Sequence, residues 1–297
     1  VRASYVPGYL LGTDNLGRDT LSRLLWGGRV SLTVGVVSTA MGLFLGVILG
    51  MLAGYYPKLD NPIMRFMDLL FTFPGVLLAM LLLAAGFFWY VSDYYRAEDA
   101  ALDVLASGEN IEVRGSLTIL SPSYPTDTAI IFYPGAKVEA AAYLLLLDQL
   151  RQTGLTCVLV EMPFRMAIFD VNAAEDVMAQ FPEIRHWYLA GHSMGGAMAS
   201  QFAAGHRDQV DGLILLGAYL YGDYPPEDTL TIYGSLNQSV EDKIDYKENV
   251  VEIEGGNHAQ FGNYGPQKED MPATISAEEQ QAQTVEAISD FIAQRQK

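Results

Sequence analysis

A serine lies between two glycines at residues 191–195, which are Gly-His-Ser-Met-Gly. The apolar residues before this stretch are typical of a strand, and the small residues after it favour a helix. In the tight turn between such elements, a side chain at Gly191 or Gly195 would clash with neighbouring backbone, and the turn lifts the serine hydroxyl clear of the sheet edge. Ser193 is therefore a candidate nucleophile for attack on a carbonyl carbon.

A serine hydroxyl needs a base that takes its proton, and His258 is the candidate. It follows an apolar run and two glycines, on a loop after the last predicted strand, where the chain order serine, acid, histidine would place it. The other histidines fit this role less well. His186 opens a strand, His192 neighbours the serine and His206 ends a helix.

The negative oxygen formed by such an attack needs two backbone N–H donors that are already in place. One should be the N–H group of Met194, directly after the nucleophile. The other should come from the Tyr-Pro-Gly-Ala-Lys-Val turn at residues 133–138. Ala136 is the expected donor there, and Gly135 lets the backbone approach.

The acidic partner of the histidine is the uncertain member of the predicted set. The loop after the strand at residues 229–235 carries Asn237 where an aspartate is expected. The analogous Asp-to-Asn change in a serine protease costs about 10⁴ in turnover. Three alternatives stay open: Glu241 or Asp242 replaces the missing carboxylate, Asp223 does so, or the site has no acid.

Further site predictions concern the loop beside His258 and the absence of metal chemistry. Gln260, Tyr264 and Gln267 are candidate substrate contacts, or they only hold this loop together. The four histidines are well separated and Cys157 is the single cysteine, which gives no metal-ligand spacing. We expect no metal and no cofactor, and we expect Cys157 to be a buried strand residue.

The elements that position these residues alternate between strand and helix over residues 113–297, as in a parallel sheet covered on both faces. Strand patterns occur at residues 128–135, 155–163, 186–193, 210–219, 229–235 and 249–258. Helical patterns lie between them, and an amphipathic helix closes the sequence. The predicted fold class is a three-layer α/β domain with a mostly parallel central sheet.

Two apolar segments precede this domain. Residues 30–54 contain no charge, and at about 1.5 Å per residue they are long enough to cross a hydrocarbon core of about 30 Å. Residues 75–91 form a shorter uncharged run that ends in aromatic residues, as at a membrane interface. The predicted organisation is an N-terminal arm (1–29), a first transmembrane helix (30–54), an inter-span loop (55–74), a second transmembrane helix (75–91), a linker (92–112) and the α/β domain (113–297).

Charge is unevenly distributed along the 297 residues, whose formal net charge is −17. Residues 1–92 contain six Lys and Arg and four Asp and Glu. Residues 93–297 contain the other 12 Lys and Arg and the other 31 Asp and Glu, which gives this part a net charge of −19. Such an acidic domain repels phosphate backbones, so we expect no nucleic-acid partner.

The segment at residues 85–297 resembles a bacterial, membrane-anchored α/β-hydrolase family of the dienelactone-hydrolase-like kind. The resemblance is carried by residues 132–143, 160–172 and 191–199 and by Gly-Gly-Asn-His-Ala-Gln-Phe-Gly at residues 255–262. It implies an α/β-hydrolase fold with Ser193 as nucleophile and His258 as base. Asn237 departs from the aspartate of that family, and Ala136 stands where the family often has glycine.

Residues 9–80 resemble the inner-membrane permease subunit of dipeptide, oligopeptide and nickel ABC importers. Gly-Thr-Asp (12–14), Gly-Arg-Asp (17–19), Ser-Arg (22–23) and Met-Arg-x-x-Asp (64–68) occur in the order typical of that family. The later spans and the loop that docks the ATPase have no counterpart in residues 81–297, so we expect no transport by this chain alone. A natural fusion, a rearrangement and an assembly error would each give such a junction, near residues 74–83.

These patterns predict a membrane-anchored serine hydrolase that acts on a carboxylic ester, thioester or small amide. Its expected partners are a small ester-like substrate, the lipid bilayer and other membrane subunits. The alternatives are a transport-associated membrane protein whose hydrolase-like domain only binds, and a degenerate hydrolase without an acid. The positive-inside rule weakly favours a cytoplasmic N-terminus. The permease resemblance favours a cytoplasmic middle loop and an extracytoplasmic hydrolase domain, which is the placement we expect.

Overall fold

The structure is a computed structural model that describes residues 9–14, 17–107 and 109–296. Parts of the predicted N-terminal arm (1–8 and 15–16), residue 108 of the predicted linker and residue 297 of the α/β domain lie outside the described residues. The chain divides into two compact units, Val1–Gly86 and Phe87–Lys297.

The first unit is helical. Helix α1 begins at Thr20, where the carboxylate of Asp19 accepts the N–H groups of Leu21 (3.1 Å) and Ser22 (3.2 Å) and so caps the first turn. The helices of this part of the chain are α1 (Thr20–Tyr55), α2 (Pro57–Thr72) and α3 (Gly75–Ser92), the last of which ends in the second unit. By length and composition alone, α1 and α3 could each cross a membrane.

Helix α2 occupies the segment that the sequence analysis treated as a loop between spans. Pro57 stands at its first position, where the fixed φ of proline suits a helix start, and no glycine interrupts the sequence up to Thr72. The predicted bounds of the apolar segments also differ from the observed helices. Helix α1 begins ten residues before residue 30, whereas α3 extends one residue beyond 91.

The second unit is built on one eight-stranded sheet. Its strands are β1 (Ile111–Arg114), β2 (Leu117–Leu120), β3 (Thr128–Tyr133), β4 (Thr156–Val160), β5 (His186–His192), β6 (Gly212–Leu216), β7 (Thr229–Gly234) and β8 (Val250–Ile253). The strand order is β1-β2-β4-β3-β5-β6-β7-β8. Strand β2 pairs antiparallel with β1 and β4, and every other pairing is parallel.

Helices cover both faces of this sheet because the central strands are apolar on both sides. They are α4 (Asp99–Ser107), α5 (Leu144–Gln152), α6 (Ala173–Met178), α7 (Met194–Gly205), α8 (Gln238–Glu241) and α9 (Ala277–Arg295). In β3, Ile130 and Phe132 join the core beneath α4, α5 and α9. Ile131 and Tyr133 join the core beneath α6 and α7. The predicted three-layer α/β architecture with a mostly parallel sheet is confirmed.

The parallel strands bring the candidate site residues to one edge of the sheet. Ala136 follows β3, Ser193 follows β5, Asn237 follows β7 and His258 follows β8. The carboxyl ends of parallel strands lie at the same edge, so residues far apart in the chain meet there.

Candidate active site

The turn at Ser193 has the strained geometry that its sequence predicts. Ser193 has φ 53° and ψ −121° between the end of β5 and the start of α7. A Cβ at Gly191 would lie 2.5 Å from backbone atoms of Gly195 and Gly196, and one at Gly195 would lie 2.1 Å from the carbonyl oxygen of Tyr133. Both glycines are therefore required by close backbone approach.

A cavity of about 880 Å³ lies beside this turn, and Ser193 and His258 both line it. His258 reaches it from the loop after β8, which crosses close to the end of β7. A Cβ at Gly234 would lie 2.2 Å from the backbone of Gly256. Thus the structure brings the predicted nucleophile and base to one cavity, although 65 residues separate them in the sequence.

The two predicted oxyanion donors lie beside the same turn. Met194 lines the cavity and is the first residue of α7, where helix N–H groups have no acceptor within their own helix. Within the described part of the chain, the N–H of Ala136 has no hydrogen-bond acceptor. Ala136 is half-buried next to Gly135, where a Cβ would lie 2.7 Å from the ring of His192. The cavity wall includes Met194 but not Ala136.

Asn237 lies beside His258, where the sequence analysis expected an acid. Its side-chain amide lies 2.7 Å from Nδ1 of His258, and Ser239 Oγ donates a hydrogen bond of 2.9 Å to its Oδ1. In this orientation Nδ2 donates to Nδ1 of His258, which leaves the imidazole proton on Nε2. Because the hydroxyl of Ser239 both donates and accepts, the amide can rotate and instead accept a proton from Nδ1. Only the rotated form frees Nε2 to accept the proton of Ser193.

The alternative acids suggested by the sequence do not reach His258. Glu241 and Asp242 lie exposed at the end of α8, because Val240 is the residue of this short helix that faces the core. The side chain of Asp223 is fully exposed and pairs with Arg207 at 2.7 Å. The structure thus corrects the expectation for these carboxylates. Among the described residues, Nδ1 of His258 is hydrogen-bonded to Asn237 and to none of them.

A carboxylate that the sequence analysis missed does lie beside His258. Asp270 lines the cavity, and its oxygens accept the backbone N–H groups of His258 (3.2 Å) and Ala259 (2.8 Å). It therefore holds the main chain of the histidine rather than its ring. Burial lowers the pKa of His258 below its usual value, and the charge of Asp270 opposes this shift. This shift favours the neutral form of the His258 ring, which a general base requires.

A buried hydrogen-bond chain joins the turn at residues 133–138 to the loop of His258. Nε2 of His192 lies 2.9 Å from the carbonyl oxygen of His258, which only accepts, so Nε2 carries a proton. Burial, and to a smaller extent the neighbouring His258, holds the pKa of His192 well below its usual value. The ring is therefore neutral, and its Nδ1 accepts a hydrogen bond. The hydroxyl of Tyr143 donates to this Nδ1 at 2.7 Å and accepts the N–H of Gly135 at 3.1 Å.

This arrangement gives His192 a role that the sequence analysis did not foresee. Its ring is 1% exposed and lies 4.6 Å from the ring of His258, measured between centroids. Through Tyr143 and His192, the position of Gly135 is coupled to the backbone of His258. The spacing of 49 residues between Tyr143 and His192 carries no local signal, so only the fold reveals the contact.

Two of the three predicted substrate contacts in the His258 loop, Gln260 and Tyr264, do not line the cavity. Tyr264 is buried, and its hydroxyl donates to Gln267 at 3.1 Å. Gln260 accepts a hydrogen bond from Gln281 through its backbone carbonyl, and its side-chain Oε1 is buried. Both residues hold the loop together, which was the alternative interpretation. Gln267, the third predicted contact, does line the cavity.

Cys157 lies fully buried in β4, as expected, and burial raises the pKa of its thiol. In the described ranges, no group of three or more His, Cys, Asp and Glu side chains is placed to hold a metal ion.

Comparison with known proteins separates the chain into two parts. The N-terminal quarter is similar to the glutathione transport system permease protein GsiD of Pectobacterium atrosepticum, with 52% identity over 75 residues, which cover 25% of each chain. It is also similar to the di/tripeptide transport system permease protein DppC of Pseudomonas aeruginosa, with 49% identity over 77 residues, which are 26% of this chain and 25% of that protein. The chain therefore spans about a quarter of the length of these curated relatives.

Solved structures and a family profile match the remainder. Est1E from Butyrivibrio proteoclasticus aligns with a TM-score of 0.43 and 17% identity over 62% of this chain and 98% of that one. Dienelactone hydrolase from Anabaena variabilis aligns with a TM-score of 0.41 and 16% identity over 63% of this chain and 99% of that one. The profile described as the alpha/beta hydrolase family matches residues 129–282, which is more than half of the chain. The chain therefore belongs to the alpha/beta hydrolase family.

Proposed function

We propose that the chain is a membrane-anchored serine hydrolase that cleaves a carboxylic ester, a thioester or a small amide through an acyl-enzyme. One observation carries the proposal: Ser193, in a strained turn at φ 53°, lines the same cavity as His258. Nucleophilic hydrolysis requires such a pair at one cavity, with N–H donors beside the nucleophile.

The reaction would proceed in two transfers. As Oγ of Ser193 attacks the carbonyl carbon, its proton passes to Nε2 of His258, and the N–H groups of Met194 and Ala136 stabilise the negative oxygen. When this intermediate collapses, the bond to the leaving group breaks and His258 returns the proton to that group. Water then attacks the acyl-serine by the same route, releasing the carboxylic acid and the free hydroxyl of Ser193.

Asn237 supports a second candidate, a domain that binds a ligand without turning it over. A neutral amide does not stabilise an imidazolium as a carboxylate does. In this candidate the permease-like segment docks with another membrane subunit, and the cavity only holds a small molecule.

Labelling of the full chain in detergent with a fluorophosphonate probe tests the first candidate against the second. We expect covalent labelling of the wild type and none of Ser193→Ala. Ser289→Ala is the matched control, because this serine lies on α9 away from the cavity wall. If the wild type labels no more than Ser193→Ala, the serine is not activated and the binding-only candidate stands.

We further propose that α1 and α3 anchor the chain in a cell membrane, with the α/β domain on the outer side. Both helices are apolar; at about 1.5 Å per residue, the 36 residues of α1 extend about 54 Å and the 18 residues of α3 about 27 Å, which is enough for a thin bilayer. Digestion by an external protease in intact cells should remove the α/β domain. Resistance in intact cells with digestion after lysis would place the domain inside.

A further inference from the structure

We propose that the end of α3 and the crossover loop at residues 163–169 form one membrane-facing surface that holds the mouth of the Ser193 cavity at an anionic bilayer. The substrate would then be an amphipathic acyl ester drawn from the lipid leaflet. The inference rests on the proposed function and specifies its substrate class.

Four phenylalanines form the centre of this surface, and all belong to the second unit. The ring of Phe87 lies 5.1 Å from that of Phe164 and 5.8 Å from that of Phe169, measured between centroids. Phe88 lies 6.2 Å from Phe164. Despite these contacts, Phe88 is 59%, Phe164 43% and Phe169 50% exposed, and the adjoining Trp89 is 80% exposed. A contiguous exposed aromatic group of this kind marks a contact with another apolar phase.

Two residues of the crossover loop have a left-handed backbone conformation. Phe164 has φ 53° and Arg165 has φ 58°, values that bulky side chains rarely adopt. The carbonyl of Arg165 accepts the N–H of Lys137 at 2.8 Å, so the turn at residues 133–138 and the crossover loop are joined at this point. Strained conformations of this kind persist where surrounding contacts fix them, and they concentrate at functional sites.

Cations flank the aromatic group in a domain that is otherwise strongly acidic. The guanidinium of Arg165 lies 3.6 Å from the ring centre of Tyr94, and that of Arg96 lies 5.1 Å from the same ring. Lys137 lies 4.4 Å from the ring centre of Tyr90 and pairs with Asp93 at 3.4 Å. Aromatic rings with nearby cations are typical of the headgroup level of a membrane, and clustered Lys and Arg attract anionic lipids. This charge pattern selects an anionic bilayer as the occupant.

The same loop forms a wall of the candidate active site. Ile168 lines the Ser193 cavity and is 55% exposed, and two further exposed apolar side chains, Tyr221 (53%) and Met271 (52%), also line it. A cavity with an exposed apolar rim beside a membrane-facing loop is suited to an acyl chain that enters from the leaflet. A small water-soluble ester has no need of this rim.

A first experiment compares two esters with the full chain in phosphatidylcholine vesicles containing phosphatidylglycerol. The double variant Phe164→Ser/Phe169→Ser should hydrolyse vesicle-borne p-nitrophenyl palmitate about tenfold more slowly than the wild type, since it loses two buried apolar contacts with the bilayer. It should hydrolyse water-soluble p-nitrophenyl acetate at the wild-type rate, because neither residue lines the cavity. Tyr124→Ser is the matched control, since this tyrosine is 82% exposed and lies elsewhere on the domain.

A companion variant tests the charge. Arg96→Gln/Arg165→Gln should lose about fivefold per arginine in palmitate hydrolysis in anionic vesicles and nothing in pure phosphatidylcholine. If both variants retain the wild-type rate on palmitate, or lose acetate hydrolysis to the same extent, the inference is overturned while the proposed hydrolase activity stands. If the wild type hydrolyses neither ester, the proposed function fails first.

A second measurement reports on the surface without any catalytic readout. An environment-sensitive fluorophore attached to Phe169→Cys in vesicles should shift to shorter emission wavelength and be quenched by spin-labelled lipid, whereas the same probe at Tyr124→Cys should not. Cys157 is fully buried and its thiol pKa is raised, so it does not compete for the label. An unshifted probe at residue 169 overturns the inference. A shift that appears in detergent and grows with protein concentration also overturns it, because it shows that a second copy covers the surface.

Discussion

Replacing Asn237 by aspartate should raise the activity of the proposed hydrolase. The two side chains have the same shape, so the variant places a carboxylate at the position of an amide that lies 2.7 Å from Nδ1 of His258. The carboxylate accepts from Nδ1 and never donates, so it fixes the tautomer that frees Nε2. It also attracts the imidazolium that forms as Ser193 loses its proton.

The structure sets the size of this effect. Two unit charges about 4 Å apart attract by about 4 kcal/mol at an effective dielectric constant of about 20, which corresponds to about 10³ in rate. Two features oppose this attraction. Asn237 is 5% exposed, so a carboxylate there loses solvation. The negative charge of Asp270, beside the same loop, disfavours ionisation of a second carboxylate there. We expect a net gain of about 10² in kcat/KM.

Hydrolysis of p-nitrophenyl acetate by the full chain in detergent gives the readout, together with the rate of fluorophosphonate labelling. Because the new charge raises the pKa of His258, the acidic limb of the pH–rate profile should also move to higher pH. The hydrolysis rate of Asn237→Ala should fall below that of the wild type, because alanine has no amide to bind Nδ1 of His258 in either orientation. A folded Asn237→Asp variant with unchanged rate and unchanged acidic limb would refute the reasoning.

Three further outcomes follow from the same geometry. Tyr143→Phe should reduce kcat by about tenfold with little change in KM, because Gly135 and His192 lose a shared partner, and steady-state kinetics measure both constants. Gly195→Ala should abolish fluorophosphonate labelling, because its Cβ would lie 2.1 Å from the carbonyl oxygen of Tyr133; retained labelling would contradict the observed turn. The pKa of His192 lies well below 6.5 in the native chain, so as pH falls the unfolded chain binds a proton there first. The contribution of His192 to the free energy of unfolding should therefore be fully present above pH 6.5 and decrease below it by up to about 1.4 kcal/mol per pH unit. His192→Gln should reduce this slope in urea titrations.

The candidate site residues that could be predicted from the sequence are those whose environment is local. Ser193 is recognised because its turn needs small residues two positions before and after it. Asn237 and His258 are recognised because each follows a strand with a clear apolar pattern. Their meeting at one sheet edge then follows from parallel strand order, which strand and helix alternation already predicts.

The residues that the sequence missed act over long separations. Asp270 lies 12 residues after His258 on an irregular loop, and only the path of that loop turns its carboxylate toward the backbone N–H groups. Glu241 and Asp242 were plausible acids by position, but burial of Val240 orients them to solvent. Helix α2 was treated as a loop because it lies between two apolar runs, although Leu59, Ile63, Phe66 and Leu70 recur at helical spacing and Pro57 suits a helix start.

The two histidines of the site differ in how firmly their protons are placed. The carbonyl of His258 only accepts, so it fixes the proton of His192 on Nε2 and makes Tyr143 the donor to Nδ1. His258 itself faces an amide and, behind it, the hydroxyl of Ser239, and each of these groups both donates and accepts. The hydrogen bond between Asn237 and Nδ1 of His258 can therefore form in either tautomer, yet only one tautomer leaves Nε2 free to accept a proton from the serine. In the proposed mechanism, the difference between a slow hydrolase and a binding domain therefore depends on the orientation of the Asn237 amide.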